Sequence, residues 1–344
     1  MKAVFVKGQN SVLVDEVAPP KPNHGDIIVK MRSCGLCGSD LEKVYGQYGM
    51  GSARLGHETA GEIMQTGKAV SGFAPGDRVF IHHHVPCYLC HYCLHGDYTM
   101  CNRYQNSNID PCGLSEQILV PEWNISRGGL IKLPDNVSYD EASLIEPLAC
   151  CLRALTKCNF HKGDDIAILG SGPAGMMHML LAKIFGAGRI FVIDINQFRL
   201  DFAKKYHHLT TFNSMIDKDI IKKIREATKD RGTDMTIVAT GNTSAVIQSF
   251  EITRRGGRIM LFGVPSKGTN ISLDLNNLYS NEQILIPSYA ASEIETNQAI
   301  KLIAEKRIDI NSLITHRFKI DDAAQAIKCA HKADVAMKVI VITD

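Results

Sequence analysis

An apolar strand that runs directly into a glycine-rich turn and then a helix restricts this chain more than any other feature. Ile166-Ala167-Ile168-Leu169 is followed at once by Gly170-Ser171-Gly172-Pro173-Ala174-Gly175, and a helical pattern continues over 174–186. Glycines there let the backbone turn tightly and approach a pyrophosphate, whose charge is met by the helix N-terminus. The next strand, 189–193, ends at Asp194, 24 residues after Gly170. A carboxylate at that point accepts hydrogen bonds from both ribose hydroxyls and repels a ribose phosphate, which favours NAD over NADP. Gly170, Gly172, Pro173, Ala174, Gly175 and Asp194 are therefore the expected cofactor-binding residues, with Arg199 added to them. Asn196, Gln197 and Arg199 could touch the adenosine ribose, although a solvated helix start is the plainer reading, and an Arg199 that reached a ribose phosphate would permit dual cofactor use.

At 344 residues the chain is long for one hydrophobic core and predicts two domains. From about 149 onward strand and helix alternate. Further strands are expected at 235–238, 258–262 and 283–286, and helices at 197–206, 217–228 and 243–254. Such alternation predicts a parallel sheet wrapped by helices. Before about 146 the texture is different: short β-like runs at 27–31, 61–64 and 77–81 are broken by Pro19, Pro20, Pro22 and Gly25, as in an irregular, mostly antiparallel β domain. The last stretch, with helical patterns at 294–306 and 321–331 and a strand at 338–342, fits either domain on pattern alone.

Cys87, Cys90, Cys93 and Cys101 lie within fifteen residues. Four thiolates from one compact loop can surround a tetrahedral ion and leave no open position, which is the chemistry of a structural zinc site. A second, more dispersed set is Cys37 in Gly35-Leu-Cys-Gly-Ser-Asp40, His57 in Gly56-His-Glu58, and Glu146 in Glu146-Pro-Leu148. One sulfur, one imidazole and one carboxylate would leave zinc a fourth position for water or an alcohol oxygen, as a catalytic metal requires, and cobalt would suit the same donors. The other cysteines, Cys34, Cys112, Cys150, Cys151, Cys158 and Cys329, lack metal spacing and read as buried small hydrophobes.

Charge and composition exclude several classes. With 38 Lys+Arg against 36 Asp+Glu the formal charge is +2, and the stretch 87–101 contains no Lys or Arg, so a nucleic-acid-binding zinc module is disfavoured. No apolar run approaches the ~18 residues of a membrane span. The N-terminus alternates into a strand instead of forming a secretory signal, and the odd count of eleven cysteines, four of them clustered at metal spacing, argues against a disulfide framework, so a cytoplasmic protein is expected.

In this order and with these separations, the three motifs resemble the medium-chain zinc-dependent alcohol dehydrogenase superfamily over essentially the whole chain, including Gly76-Asp77-Arg78-Val79. Gly56-His57-Glu58 and Glu146-Pro147-Leu148 look most like the sorbitol (polyol) and threonine dehydrogenase branch. The resemblance implies a Rossmann-type, doubly wound α/β domain over 149–288, inserted in a mostly β, GroES-like catalytic domain of 1–148 and 289–344 with its zinc lobe at 87–101. It implies two zinc ions per chain, one catalytic on Cys37, His57 and Glu146 with Glu58 able to approach or exchange onto it, and one structural on the four cysteines. It also implies that Asp40 orients His57, that Ser39 passes the substrate proton, and that the protein is a homo-oligomer, a dimer or tetramer. His84 falls where threonine dehydrogenases carry a histidine near the substrate. One departure stands out: five residues beyond Cys37 the family usually has a histidine that completes the proton relay, and here the residue is Glu42.

The expected reaction is hydride transfer from a secondary alcohol to NAD, giving a ketone. A polyol or its phosphorylated derivative is the favoured substrate, with Tyr45 and Tyr48 placed to line the pocket, and threonine is the close rival. A non-catalytic sensor or scaffold that binds NAD and zinc is the alternative of another class, and loss of a catalytic ligand would be its mark.

Overall fold

The computed structural model describes residues 1–46 and 54–344. The chain divides into two compact units, one formed by Met1–Ala149, Ala290–Lys332 and Lys338–Asp344, the other by Cys150–Tyr289 and Ala333–Met337.

The second unit is a six-stranded sheet in which every neighbouring pair is parallel. Its order is Thr210–Asn213, Ile190–Asp194, Ile166–Leu169, Thr233–Val238, Thr253–Leu261, Ile284–Pro287. Numbered along the chain this is 3-2-1-4-5-6, the doubly wound order with its switch point beside strand Ile166–Leu169. That strand is buried at all four positions because helices cover both faces of the sheet, and hence it is apolar throughout rather than alternating. Ala167, Leu169, Phe191, Ile193, Val238 and Ile259 pack with Ile220 and Ile224 of the helix Ile220–Ala227 and with Val246 and Ile252 of the helix Thr243–Ile252 into one core.

Three details differ from sequence expectation. The outermost strand, Thr210–Asn213, carries no apolar run: its two threonines sit at the less buried end, and only Phe212 and Asn213 are buried. The helix expected from 217 begins at Ile220, because Asp219 adopts φ +61 and Asp217 instead accepts from Asn213 N at 2.7 Å, closing a turn. The strand expected at 258–262 starts earlier, at Thr253, across an irregular Arg-Arg-Gly-Gly stretch.

The first unit is built on a mixed, mostly antiparallel sheet ordered Ile314–Lys319, Lys338–Ile342, Ile27–Gly35, Glu58–Thr66, Arg78–Ile81, Leu130–Lys132, with Gln117–Val120 also paired to Ile27–Gly35. Ile27–Gly35 is its centre, buried at seven of nine positions. The closing strand pairs with it antiparallel, Ile340 opposite Gly35, so the end of the chain belongs to this sheet. This register sets Gly35, Glu58 and the first half of the closing strand side by side. Among the described residues no helix is long and apolar enough to cross a membrane.

Candidate active site and metal centres

Cys87, Cys90, Cys93 and Cys101 converge in the lobe as expected from their spacing, their sulfurs all within 4.8 Å of one another. The separations are 3.6 Å for Cys90–Cys93, 3.6 Å for Cys87–Cys101 and 3.9 Å for Cys87–Cys93. A zinc ion with Zn–S bonds of about 2.3 Å at the centre of a tetrahedron requires edges of roughly 3.8 Å, so the four residues fit the ion. None of the eleven cysteines forms a disulfide. The backbone N–H groups of Leu89 and Cys90 point at the Cys87 sulfur and pull its thiol below its ordinary range, while burial raises that of Cys93.

A second cluster forms where two elements of the mixed sheet end. Cys37 is the N-cap of the helix Gly38–Tyr45, and Asp40 in its first turn accepts from Cys37 N at 3.2 Å. The same carboxylate accepts from Gly56 N at 3.0 Å and lies 3.6 Å from His57 Nδ1. Asp40 thus ties the loop bearing Cys37 to the loop bearing His57. Burial opposes its charge, but His57, Lys43 and these hydrogen bonds outweigh burial and hold the carboxyl at about 2. Burial likewise disfavours the His57 cation, yet Asp40 and then Cys37 raise the imidazole well above its usual value. The ligand atoms of Cys37, His57 and Glu58 lie within 4.8 Å of one another.

Glu58 opens the strand Glu58–Thr66 and is completely buried. It is paired with Lys338, whose Nζ also donates to Leu36 O at 2.9 Å. Gly35 makes room for it: a Cβ there would lie 2.0 Å from Glu58 Oε2. Glu146, in the first turn of the helix Ile145–Lys157, is 6% exposed and is not part of the tight group, although its charge acts on both Glu58 and Lys338. A thiol, an imidazole and three buried carboxylates (Asp40, Glu58, Glu146), with Lys338 beside Glu58 and Lys43 3.9 Å from Asp40, form a donor set that suits a divalent cation.

Ser39 is half-buried in the first turn of the helix that Cys37 caps. Glu42, one turn on, has a buried Oε2 without a hydrogen-bond partner among the described residues. Tyr45 stacks on His331 with ring centroids 3.8 Å apart, and Tyr48 lies outside the described residues. His84 Nδ1 is bonded to Ser107 O at 2.5 Å, and its ring lies 4.0 Å from that of His83. Its neighbour His83 is the one whose ring meets that of His57, at 5.1 Å between centroids. Sequence reasoning could not separate these adjacent histidines, since no spacing rule assigns side-chain direction in an irregular loop.

In the parallel-sheet unit the glycine turn is tightly built. Gly170 has φ +98, a conformation that favours glycine, and a Cβ on Gly175 would lie 1.9 Å from Gly170 O. Gly172 caps the helix Pro173–Ile184, with proline at its start. Asp194 Oδ2 accepts from Ser171 N at 2.6 Å and Ser171 Oγ at 2.9 Å, and Oδ1 accepts from Asn196 N at 2.9 Å. The carboxylate is thereby aimed beside the turn, with acceptor capacity left for a ribose. The Arg199 guanidinium reaches to 3.3 Å from where a Gly172 Cβ would stand, and burial lowers its pKa against the pull of Asp194.

Comparison with known proteins agrees with these features. Residues 23–135 match the model of the alcohol dehydrogenase GroES-like domain, and residues 173–305 match that of zinc-binding dehydrogenases. The chain belongs to the medium-chain zinc-dependent alcohol dehydrogenase superfamily. Like other members, this dehydrogenase is an oxidoreductase of CH–OH groups. It is 31% identical to a sorbitol dehydrogenase of Bacillus subtilis, over 96% of this chain and 93% of that one. It is 28% identical to an L-threonine 3-dehydrogenase of Vibrio cholerae, over 92% of each. Among solved structures, galactitol-1-phosphate dehydrogenase of Escherichia coli superposes with a TM-score of 0.87 at 26% identity, covering all of both chains.

Proposed function

We propose that this dehydrogenase oxidises a secondary hydroxyl of a polyol or sugar phosphate to a ketone, with NAD as acceptor. The observation that carries the reading is the group of Cys37, His57 and Glu58, whose donor atoms lie within 4.8 Å of one another in a chain that also has the glycine turn and Asp194. The likeness to sorbitol and galactitol-1-phosphate dehydrogenases supports the substrate class.

Cys37, His57 and Glu146 hold the catalytic zinc, with Glu58 in reach, and Cys87, Cys90, Cys93 and Cys101 hold the structural one. When bound, zinc supplies Lewis acidity to the alcohol oxygen and NAD accepts the hydride from the carbinol carbon. Asp40 holds His57 in one orientation and tautomer. Ser39 Oγ takes up the hydroxyl proton and passes it outward. The turn Gly170, Gly172, Pro173, Ala174, Gly175 receives the pyrophosphate at the helix N-terminus, Asp194 receives the ribose, and Arg199 lies over the turn.

The protein works in the cytoplasm, a reading supported by eleven cysteines of which none forms a disulfide. It works as a homo-oligomer, a dimer or tetramer, in keeping with the edge strand Ile284–Pro287, where Ile284 is 51% exposed.

NADH formation by zinc-loaded protein, measured across polyols, sugar phosphates, threonine and simple secondary alcohols with NAD or NADP, tests the reading. Turnover of a polyol or sugar phosphate that disappears in Cys37→Ser is the expected result. Threonine as the sole substrate would move the protein to the second reading, an L-threonine 3-dehydrogenase activity favoured by the 28% identity to that enzyme.

A further inference from the structure

The glycine turn follows the last residue of Ile166–Leu169, at one end of the parallel sheet. At the other end, where Thr253–Leu261 and Ile284–Pro287 begin, the same unit has a cavity of about 710 Å³. Four arginines line it, Arg225, Arg231, Arg254 and Arg255, with two carboxylates, Asp230 and Glu251. Neither carboxylate forms an ion pair among the described residues.

The four guanidinium groups are unequally engaged. Arg231 Nη2 lies 3.2 Å from Asp165 Oδ2 and Arg254 Nε 2.5 Å from Asp234 Oδ1, while Nη1 of the first and Nη2 of the second make no bond among the described residues. Arg225 donates only to carbonyl oxygens, those of Asp230 at 3.4 Å and Glu251 at 3.0 Å, which hold its guanidinium in place without neutralising it. Arg255 is exposed, and its side chain makes no hydrogen bond or ion pair among the described residues. The wall around them is fixed: Gln283 Nε2 donates to Phe250 O at 2.9 Å and Thr253 O at 2.8 Å, tying the start of the last strand to its neighbours.

Like charges gathered on one cavity repel, and a bound anion relieves the repulsion. Two uncompensated guanidinium groups match a dianion, and their planar forks suit phosphate oxygens. The volume falls within the roughly 300–1,000 Å³ of small-molecule sites and exceeds what a bare phosphate fills. Phe250 and the amides of Asn277 and Asn281 offer an apolar face and hydrogen bonds to an organic part. We propose that this cavity binds a phosphate monoester of a sugar or nucleoside, its phosphate held by Arg225 and Arg255 with the spare donors of Arg231 and Arg254.

Calorimetry on the zinc-loaded enzyme saturated with NADH tests the site, with glucose 6-phosphate, adenosine 5′-monophosphate and inorganic phosphate as probes. One of the two esters is expected to bind with a Kd below about 1 mM, more tightly than inorganic phosphate, and which one it is distinguishes a sugar from a nucleotide source. Arg255→Glu should weaken that ester by about tenfold to a hundredfold, and Arg255→Lys, which keeps the charge and loses the fork, by less. Because Arg255 has no partner, both variants should keep the wild-type melting temperature, NADH affinity and turnover. Ester binding that Arg255→Glu leaves intact belongs to another site and overturns the proposal. So does the absence of binding by either ester, or inorganic phosphate that binds as tightly as both.

Discussion

Lys338 and Glu58 form an ion pair in which neither side chain is more than 2% exposed. The partners are 280 residues apart and meet because the closing strand lies against Ile27–Gly35, which in turn pairs with Glu58–Thr66. The ammonium is also bonded to Leu36 O, one residue before Cys37, so the pair braces the candidate metal site from beneath.

Removing the cation alone should therefore leave a buried carboxylate uncompensated. Lys338→Met is expected to lower unfolding free energy by about 3–5 kcal/mol, measured by denaturant titration. Lys338→Met combined with Glu58→Gln should recover most of that loss. A single variant as stable as wild type would show that the pair contributes nothing net.

His178 makes the parallel-sheet unit sensitive to acid. Its ring is completely buried edge-on to Phe262, and neither ring nitrogen has a hydrogen-bond partner among the described residues. Burial pushes its pKa from the ordinary 6.5 down to about 3. Between these values the unfolded chain binds a proton that the folded chain refuses, so this contribution is intact above pH 6.5 and is lost as pH falls. The limiting slope is about 1.4 kcal/mol per pH unit. His178→Leu should flatten the stability profile between about pH 6 and 4 by that amount; an unchanged slope would place the acid sensitivity elsewhere.

The zinc lobe is expected to separate from the chemistry in metal content. Cys93→Ala should reduce bound zinc from two ions per chain to one and lower the thermal midpoint by roughly 5 °C or more, because metal binding supplies part of the folding free energy of a small lobe. Elemental analysis and a melting curve check both. Two ions retained in the variant would contradict a four-cysteine site.

Gly175 is expected to be indispensable for the cofactor and irrelevant to the metals. A Cβ there would lie 1.9 Å from Gly170 O, so Gly175→Ala must open the turn. NADH affinity, read by fluorescence, should fall by about tenfold or more, which corresponds to roughly 1.4 kcal/mol, while zinc content stays at the wild-type level. Unchanged affinity would mean that the turn does not carry the pyrophosphate.

The sequence by itself determined whatever local periodicity and spacing encode. Strand Ile166–Leu169, the glycine turn and Asp194 announce a parallel α/β unit because a strand buried on both faces must be apolar throughout and a tight phosphate turn must be glycine. The four lobe cysteines were legible for the same reason, all their partners lying within fifteen residues. Strand Thr210–Asn213 was not legible, since an edge strand half open to water needs no apolar run. Only the tertiary structure decided that Glu58 completes a tight group with Cys37 and His57, that Lys338 closes it from the far end of the chain, and that His83 faces His57 while His84 turns to Ser107. The physical reason is range. Burial periodicity and turn chemistry act over a few residues, whereas strand pairing across hundreds of residues sets which side chains meet, and no window of sequence contains both partners.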